Sequence, residues 1–259
     1  MSLLKEQKID IENVLRTNLR KKFQSYKPEP ASMPFHTRLL GKDRMALFSF
    51  IHSLNTNFGT SIFQPVAKEL SNERFKRIET QAEAGTRISE DAQREIQRIM
   101  DSLITAKSLP AKSDEIERIR KVCQKGKIVN IKPTRVDILL EGKNDELFLF
   151  DIKTAKPNIG GFKEYKRTLL EWVATTLVDR PKAKVNTLIA IPYNPYEPQA
   201  YSRWTMRGIL DLESELKVAD EFWDFLGGKQ TYKDLLDCFE KVGVELRNEI
   251  DEYFKKYIK

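Results

Sequence analysis

Two hydrophobic rhythms divide the chain, and the change between them falls near residue 126. Before it, apolar residues recur at helical spacing. Residues 5–25 place Ile9, Ile11, Val14, Leu15 and Leu19 as a stripe among charges, which predicts an amphipathic helix. Lys27-Pro28-Glu29-Pro30 and Met33-Pro34 break it, because proline removes a backbone donor. A second helix is expected over 42–56, stopped by Asn57-Phe58-Gly59. A third runs from about Ser61 through Phe63, Val66, Leu70 and Phe75 to near Ala84-Gly85. Ser89 then reads as an N-cap, with Glu90 and Asp91 in the first turn, where the helix dipole favours negative charge. Ile96, Ile99, Met100 and Leu103 form the apolar face of that helix, and a shorter one is expected over 113–123, capped by Ser113.

The period then drops to two. Lys127-Ile128-Val129-Asn130-Ile131 reads as a strand ending before Pro133. Val136 to Leu140 and Leu147 to Lys153 read as two more, joined by the turn chemistry of Glu141-Gly142-Lys143-Asn144-Asp145-Glu146. A helix from about Phe162 to Leu177 and a strand over Val185–Ile191 follow, and helices over 213–225 and 231–257 are split by Gly227-Gly228. This order predicts one α/β domain over 1–259: a mainly helical part over 1–125, a catalytic α/β core over 126–200 and a C-terminal helical part over 201–259.

Composition narrows the chemistry. A net charge of +7 suits a polyanionic partner, because phosphates neutralised by lysine and arginine release condensed counterions. His36 and His52 are the only histidines, which argues against sites built from several imidazoles and leaves carboxylates, lysines and a hard metal as tools. Cys123 and Cys238 stand far apart without metal-type spacing, so two buried free thiols in a reducing compartment, the cytoplasm, are expected. No apolar stretch approaches the ~20 residues of a membrane span, and the first residues carry no signal-peptide pattern.

The residues that carry chemistry are Asp137 and Asp151-Ile152-Lys153. With the turn placed on Asn144, residues 137 and 151 become cross-strand partners, whose Cβ atoms lie ~4.5–5.5 Å apart in an antiparallel pair. Alternation puts Asp151 and Lys153 on one face, opposite Phe148, Phe150 and Ile152. Two adjacent carboxylates resist joint ionisation unless a cation joins them, and Mg²⁺ prefers such a site. Asp137 and Asp151 are therefore candidate metal ligands, and Lys153 a candidate to orient or deprotonate a water or to stabilise the transition state. An acid-x-Lys triplet alone says little, since Glu6-Gln7-Lys8, Glu141-Gly142-Lys143, Glu164-Tyr165-Lys166 and Glu215-Leu216-Lys217 also match. Position at the end of an apolar strand, with an aspartate opposite, distinguishes this one.

Pro133-Thr134-Arg135-Val136-Asp137 followed by Phe150-Asp151-Ile152-Lys153-Thr154 resembles the PD-(D/E)xK core of type II restriction endonucleases. Phe58-Gly59-Thr60-Ser61-Ile62-Phe63, Asp151 to Asn158, Lys163 to Trp172, and Ile191-Pro192-Tyr193-Asn194-Pro195 are similar to the TdeIII/MjaII-like family. The four-residue separation of Pro133 from Asp137 departs from the literal motif. The resemblance implies a restriction-endonuclease-like core, a mixed sheet flanked by helices with a helical N-terminal part. It also implies Mg²⁺-dependent cleavage of double-stranded DNA by a homodimer at a short palindrome of GGNCC type. The resemblance further implies an acidic residue from a preceding helix, for which Glu95 is the candidate and Glu79 and Glu83 the rivals; pairing of Glu95 with nearby Arg94 or Arg98 fits the sequence equally well.

For DNA contact, Lys156, Lys163, Lys166 and Arg167 are candidates at phosphates near the helix that opens after Asn158-Ile159-Gly160-Gly161. The polar, aromatic loop Tyr193–Arg207 offers Arg203 and Arg207, since arginine pairs bidentately with guanine O6 and N7. Trp172 and Trp223 lie in helical patterns and read as core. A repair or recombination nuclease of the same fold, or a non-catalytic DNA-binding protein, would fit the same residues.

Overall fold

The computed structural model describes residues 3–26, 33–153, 161–202 and 206–256. These residues group into two compact units, Met1–Leu70 with Gly227–Lys259, and Ser71–Leu226.

The first unit is helical. Helices α1 (Lys5–Ser25), α2 (Pro34–Leu40), α3 (Lys42–Phe58) and α4 (Gln64–Ser71) come from the N-terminal side, with a π-helical turn at Gly59–Phe63 between α3 and α4. On α1, Ile11 and Leu15 are buried as the stripe predicts, but Ile9 is 45% exposed. Charge fixes α1 on the C-terminal helices: Arg16 Nη2 meets Glu245 at 2.8 Å, Lys8 meets Asp234 at 2.7 Å, and Lys241 meets Glu12 at 2.7 Å. Phe23, Phe50, Tyr253 and Phe254 pack as an aromatic cluster behind these pairs.

The second unit holds a five-stranded mixed sheet in the order β1-β4-β5-β6-β7. Its strands are β1 (Arg77–Glu83), β4 (Arg135–Glu141), β5 (Glu146–Ile152), β6 (Lys184–Ile191) and β7 (Leu216–Val218). The neighbours β1–β4 and β4–β5 are antiparallel, and β5–β6 and β6–β7 parallel. A separate two-stranded sheet pairs β2 (Arg87–Ser89) with β3 (Ile128–Asn130). Helices α5 (Glu90–Ile104), α6 (Lys112–Arg120), α7 (Gly161–Asp179) and α8 (Asp220–Gly227) flank the sheet, and α9 (Thr231–Glu245) and α10 (Arg247–Lys255) belong to the helical unit.

The hairpin register is the one that a turn at Asn144 predicts. Ile138 faces Phe150, Leu139 faces Leu149 and Glu141 faces Leu147, while Gly142 N–H closes the turn on the Glu146 carbonyl at 2.7 Å. One face of β5 packs half-buried Phe148 and buried Phe150 against Phe75, Phe222 and Phe225. Leu147 and Leu149 on the other face are buried as well, because β5 is central and covered on both sides. Trp172 and Trp223 are core residues, as expected, their indole N–H groups donating to Thr134 Oγ1 and the Pro192 carbonyl.

Ser89 caps α5 as predicted: its Oγ accepts from Ala92 N–H at 3.1 Å. Several expectations need correction. The helix expected to run on to Ala84 stops at Ser71, and residues 77–83 form β1 instead. Residues 216–218 form β7 within the span expected as helix, and α6 starts after Ala111, ahead of Ser113. The strand at 127–131 pairs with β2 outside the main sheet. Both cysteines are buried free thiols, and among the described residues no helix is long and apolar enough to cross a membrane.

A buried ionic network holds α6, α7 and β6 to the loop before β7. Lys112 Nζ donates to Glu215 Oε1 at 2.9 Å and to Thr187 Oγ1 at 2.6 Å, and Lys166 Nζ donates to Glu115 and to Glu215 Oε2 at 2.7 Å. Burial alone would raise the Glu215 carboxyl, but the two ammonium groups outweigh it and hold its pKa below the usual carboxylate range.

Candidate active site

Three adjacent strands of the second unit deliver the acidic site. β4 brings Asp137 and β5 brings Asp151, and the hairpin register carried one step past Ile138–Phe150 sets these two opposite each other. Asp137 Oδ2 accepts from the Ile152 backbone N–H at 2.8 Å, and its Oδ1 accepts from Gln81 Nε2 at 3.0 Å. The chain at Lys153 is fixed by its N–H donating to the Ala190 carbonyl at 2.9 Å, which continues the parallel ladder with β6. Its side chain turns back: Nζ lies 2.8 Å from Asp151 Oδ1 and 4.5 Å from the centre of the Tyr165 ring on α7.

The electrostatics are those of a crowded acidic pair. Asp151 has its carboxyl pushed up to about 6, burial being the largest cause. Lys153 opposes that rise and Asp137 reinforces it, by charge and by a side-chain hydrogen bond. Near neutral pH Asp151 therefore lies close to exchanging a proton, and the two adjacent carboxyls gain by acquiring a cation. No group of three or more His, Cys, Asp and Glu side chains is gathered for a metal among the described residues. Two converging carboxylates nevertheless suit Mg²⁺, which keeps several waters and takes phosphate oxygens for its remaining positions.

The other expected site residues fall in different places. Glu95 lies on α5 and is committed elsewhere: Arg118 Nε donates to it at 2.8 Å and Arg98 Nη1 at 3.3 Å. That is the ion-pairing role weighed against catalysis, with Arg118 as an unforeseen partner. The rivals Glu79 and Glu83 lie on β1 rather than on a helix; Glu79 accepts from Arg77, and Glu83 is exposed. Lys166 is corrected as a phosphate contact, because it is wholly buried and paired to Glu115 and Glu215. Lys163 and Arg207 are exposed. Arg167 donates to Gln97 at 2.7 Å and lines a cleft of about 360 Å³ with Gln93, Gln97, Lys132 and Glu171. Lys156 and Arg203 lie outside the described residues.

Gln81 went unnoticed in the sequence. It stands within Arg77-Ile78-Glu79-Thr80-Gln81-Ala82-Glu83, whose weak alternation was masked by the helical spacing before it. Its place opposite Asp137 emerges only once β1 is paired with β4.

The sequence profile of the HinfI type II restriction endonucleases matches residues 3–243. The chain is 27% identical to the type II restriction enzyme MjaII of Methanocaldococcus jannaschii, over 91% of this chain and 70% of that protein. It is 23% identical to the type II restriction enzyme HgiCII of Herpetosiphon aurantiacus, over 84% of this chain and 80% of the relative. HgiBI of the same organism, also a type II restriction enzyme, is 22% identical over 90% of this chain and 87% of its own length.

Proposed function

The chain belongs to the HinfI family of type II restriction endonucleases, and from that premise we propose that it hydrolyses both strands of DNA at a short palindrome in a Mg²⁺-dependent reaction. Asp137 and Asp151 would hold the metal, and Lys153 would act beside it. The observation that carries the reading is the convergence of two carboxylates and one ammonium at the end of a buried hairpin, with Asp151 pushed up to about 6.

Each residue has a definable task. Asp137 is oriented from both sides, by the Ile152 N–H and by Gln81, so its carboxylate needs little reorganisation to receive a ligand. Asp151 gives up its proton, or its share of Lys153, to become a charged donor. Lys153 Nζ, 2.8 Å from Asp151 Oδ1, would on release hydrogen-bond a water or a phosphate oxygen and offset negative charge as it develops. Tyr165 supports that ammonium through its ring face. When bound, Mg²⁺ supplies a lowered pKa for a coordinated water and Lewis-acid polarisation of the phosphate.

The same reading makes the protein a homodimer acting in the cytoplasm on a GGNCC-type site, since a two-fold protein matches a palindrome. Exposed Lys163 would meet phosphates, as would Lys156, and Arg203 and Arg207 would read guanines. The test is incubation of supercoiled plasmid with the purified protein, with Mg²⁺ or with chelator. Discrete fragments whose ends map to GGNCC support the proposal. Cleavage restricted to flaps or junctions would make the substrate a repair intermediate, and no cleavage in any divalent metal would refute catalysis.

A further inference from the structure

We propose that Gln81 is a positioning residue of this site, fixing the Asp137 carboxylate through its side-chain amide; the inference rests on reading Asp137 as a metal ligand. The backbone supplies the first reason. Gln81 has φ +55° in the middle of β1, although the ladder is regular on both sides, with Thr80 facing Ile138 and Ala82 facing Val136. A residue with a side chain seldom adopts this left-handed region, and glycine would fill it with less strain. Strain of this kind persists where the surroundings over-determine it, and functional sites are where it gathers.

Register supplies the second reason. The pairs on either side set Gln81 directly opposite Asp137, and its Nε2 donates to Oδ1 at 3.0 Å. With Oδ2 accepting from Ile152 N–H at 2.8 Å, the carboxylate is gripped from β1 and from β5. The third reason is electrostatic. A carboxylate at position 81 would add a third negative charge to the Asp137–Asp151 pair, whereas a neutral amide orients Asp137 without that repulsion.

The experiment uses Gln81→Gly in the full chain, beside the parent and Asp151→Ala. Glycine accepts the positive φ, so thermal unfolding of Gln81→Gly in chelator should occur at or above the parent's temperature. Mn²⁺ affinity measured by calorimetry without DNA should fall about 10–100-fold, the usual loss when a partner of a metal ligand is removed. Cleavage at saturating DNA should fall at low metal and recover at high metal, with the KM for DNA unchanged. Parent-like metal affinity in Gln81→Gly would overturn the proposal, as would losses that track only a lowered melting temperature. Asp151→Ala separates the two levels of inference. If it loses Mn²⁺ binding while Gln81→Gly keeps it, only the role of Gln81 fails; if both keep it, the reading of the site itself fails.

Discussion

Asparagine in place of Asp151 keeps the shape of the side chain and removes its titration, so it isolates the electrostatic cost of the site. The carboxyl is pushed from an ordinary 3.8 up to about 6, chiefly by burial. At about 1.36 kcal/mol per unit, holding it ionised in the metal-free protein costs about 3 kcal/mol. Only 13% of the side chain is exposed, so solvent screening leaves most of that cost in place. The sign follows from the raised value: the folded protein binds this proton more tightly than the unfolded chain does. The stabilisation it brings is complete below about pH 4 and is lost as pH rises through about 6. Asp151→Asn should therefore differ little from the parent in pH dependence below about pH 4, then gain on it, by up to about 3 kcal/mol above about pH 7. Urea unfolding in chelator across this range reads the difference directly. A stability difference that does not change with pH, or one that moves in the parent's favour as pH rises, would refute the reasoning.

Two further substitutions test the frame around the site. Lys166→Met strands Glu115 and the second oxygen of Glu215 in the interior and should cost about 3–5 kcal/mol in urea unfolding; a loss under about 1 kcal/mol would show the network to be dispensable. Gly85→Ala would set a Cβ 2.9 Å from Thr175 Cβ and 3.1 Å from the Thr175 carbonyl of α7, at φ +155°. That overpacking should destabilise the protein by about 1–3 kcal/mol, whereas an unchanged melting temperature would mean that α7 can shift freely.

The hairpin was legible because two independent signals agreed: the alternation in Val136–Leu140 and Leu147–Lys153, and the turn residues Gly142 and Asn144 at the length that aligns Asp137 with Asp151. β1 was not, because it is an edge strand with a polar sequence that follows a run of helically spaced apolar residues. β7 was hidden for a related reason, being only three residues long and flanked by helical composition. Lys166 illustrates a different limit. Its sequence neighbours make it look like one of several surface cations, but its partners lie 51 and 49 residues away, and only the fold brings them together. For Glu95 the sequence offers both a catalytic role and pairing with a neighbouring arginine, and it hides Arg118, a partner that only the packing of α6 brings in. Gln81 combines both difficulties, since its role depends on a strand the sequence conceals and on a backbone conformation that no side-chain pattern announces.

The most direct measurement compares Asp151→Ala with the parent on a short duplex containing the recognised site, scoring cleavage in Mg²⁺ and binding in Ca²⁺. The variant should bind the duplex and leave both strands intact while the parent cuts them. A variant that cuts at the parent's rate would contradict this, because the hairpin would then not be the site of the chemistry.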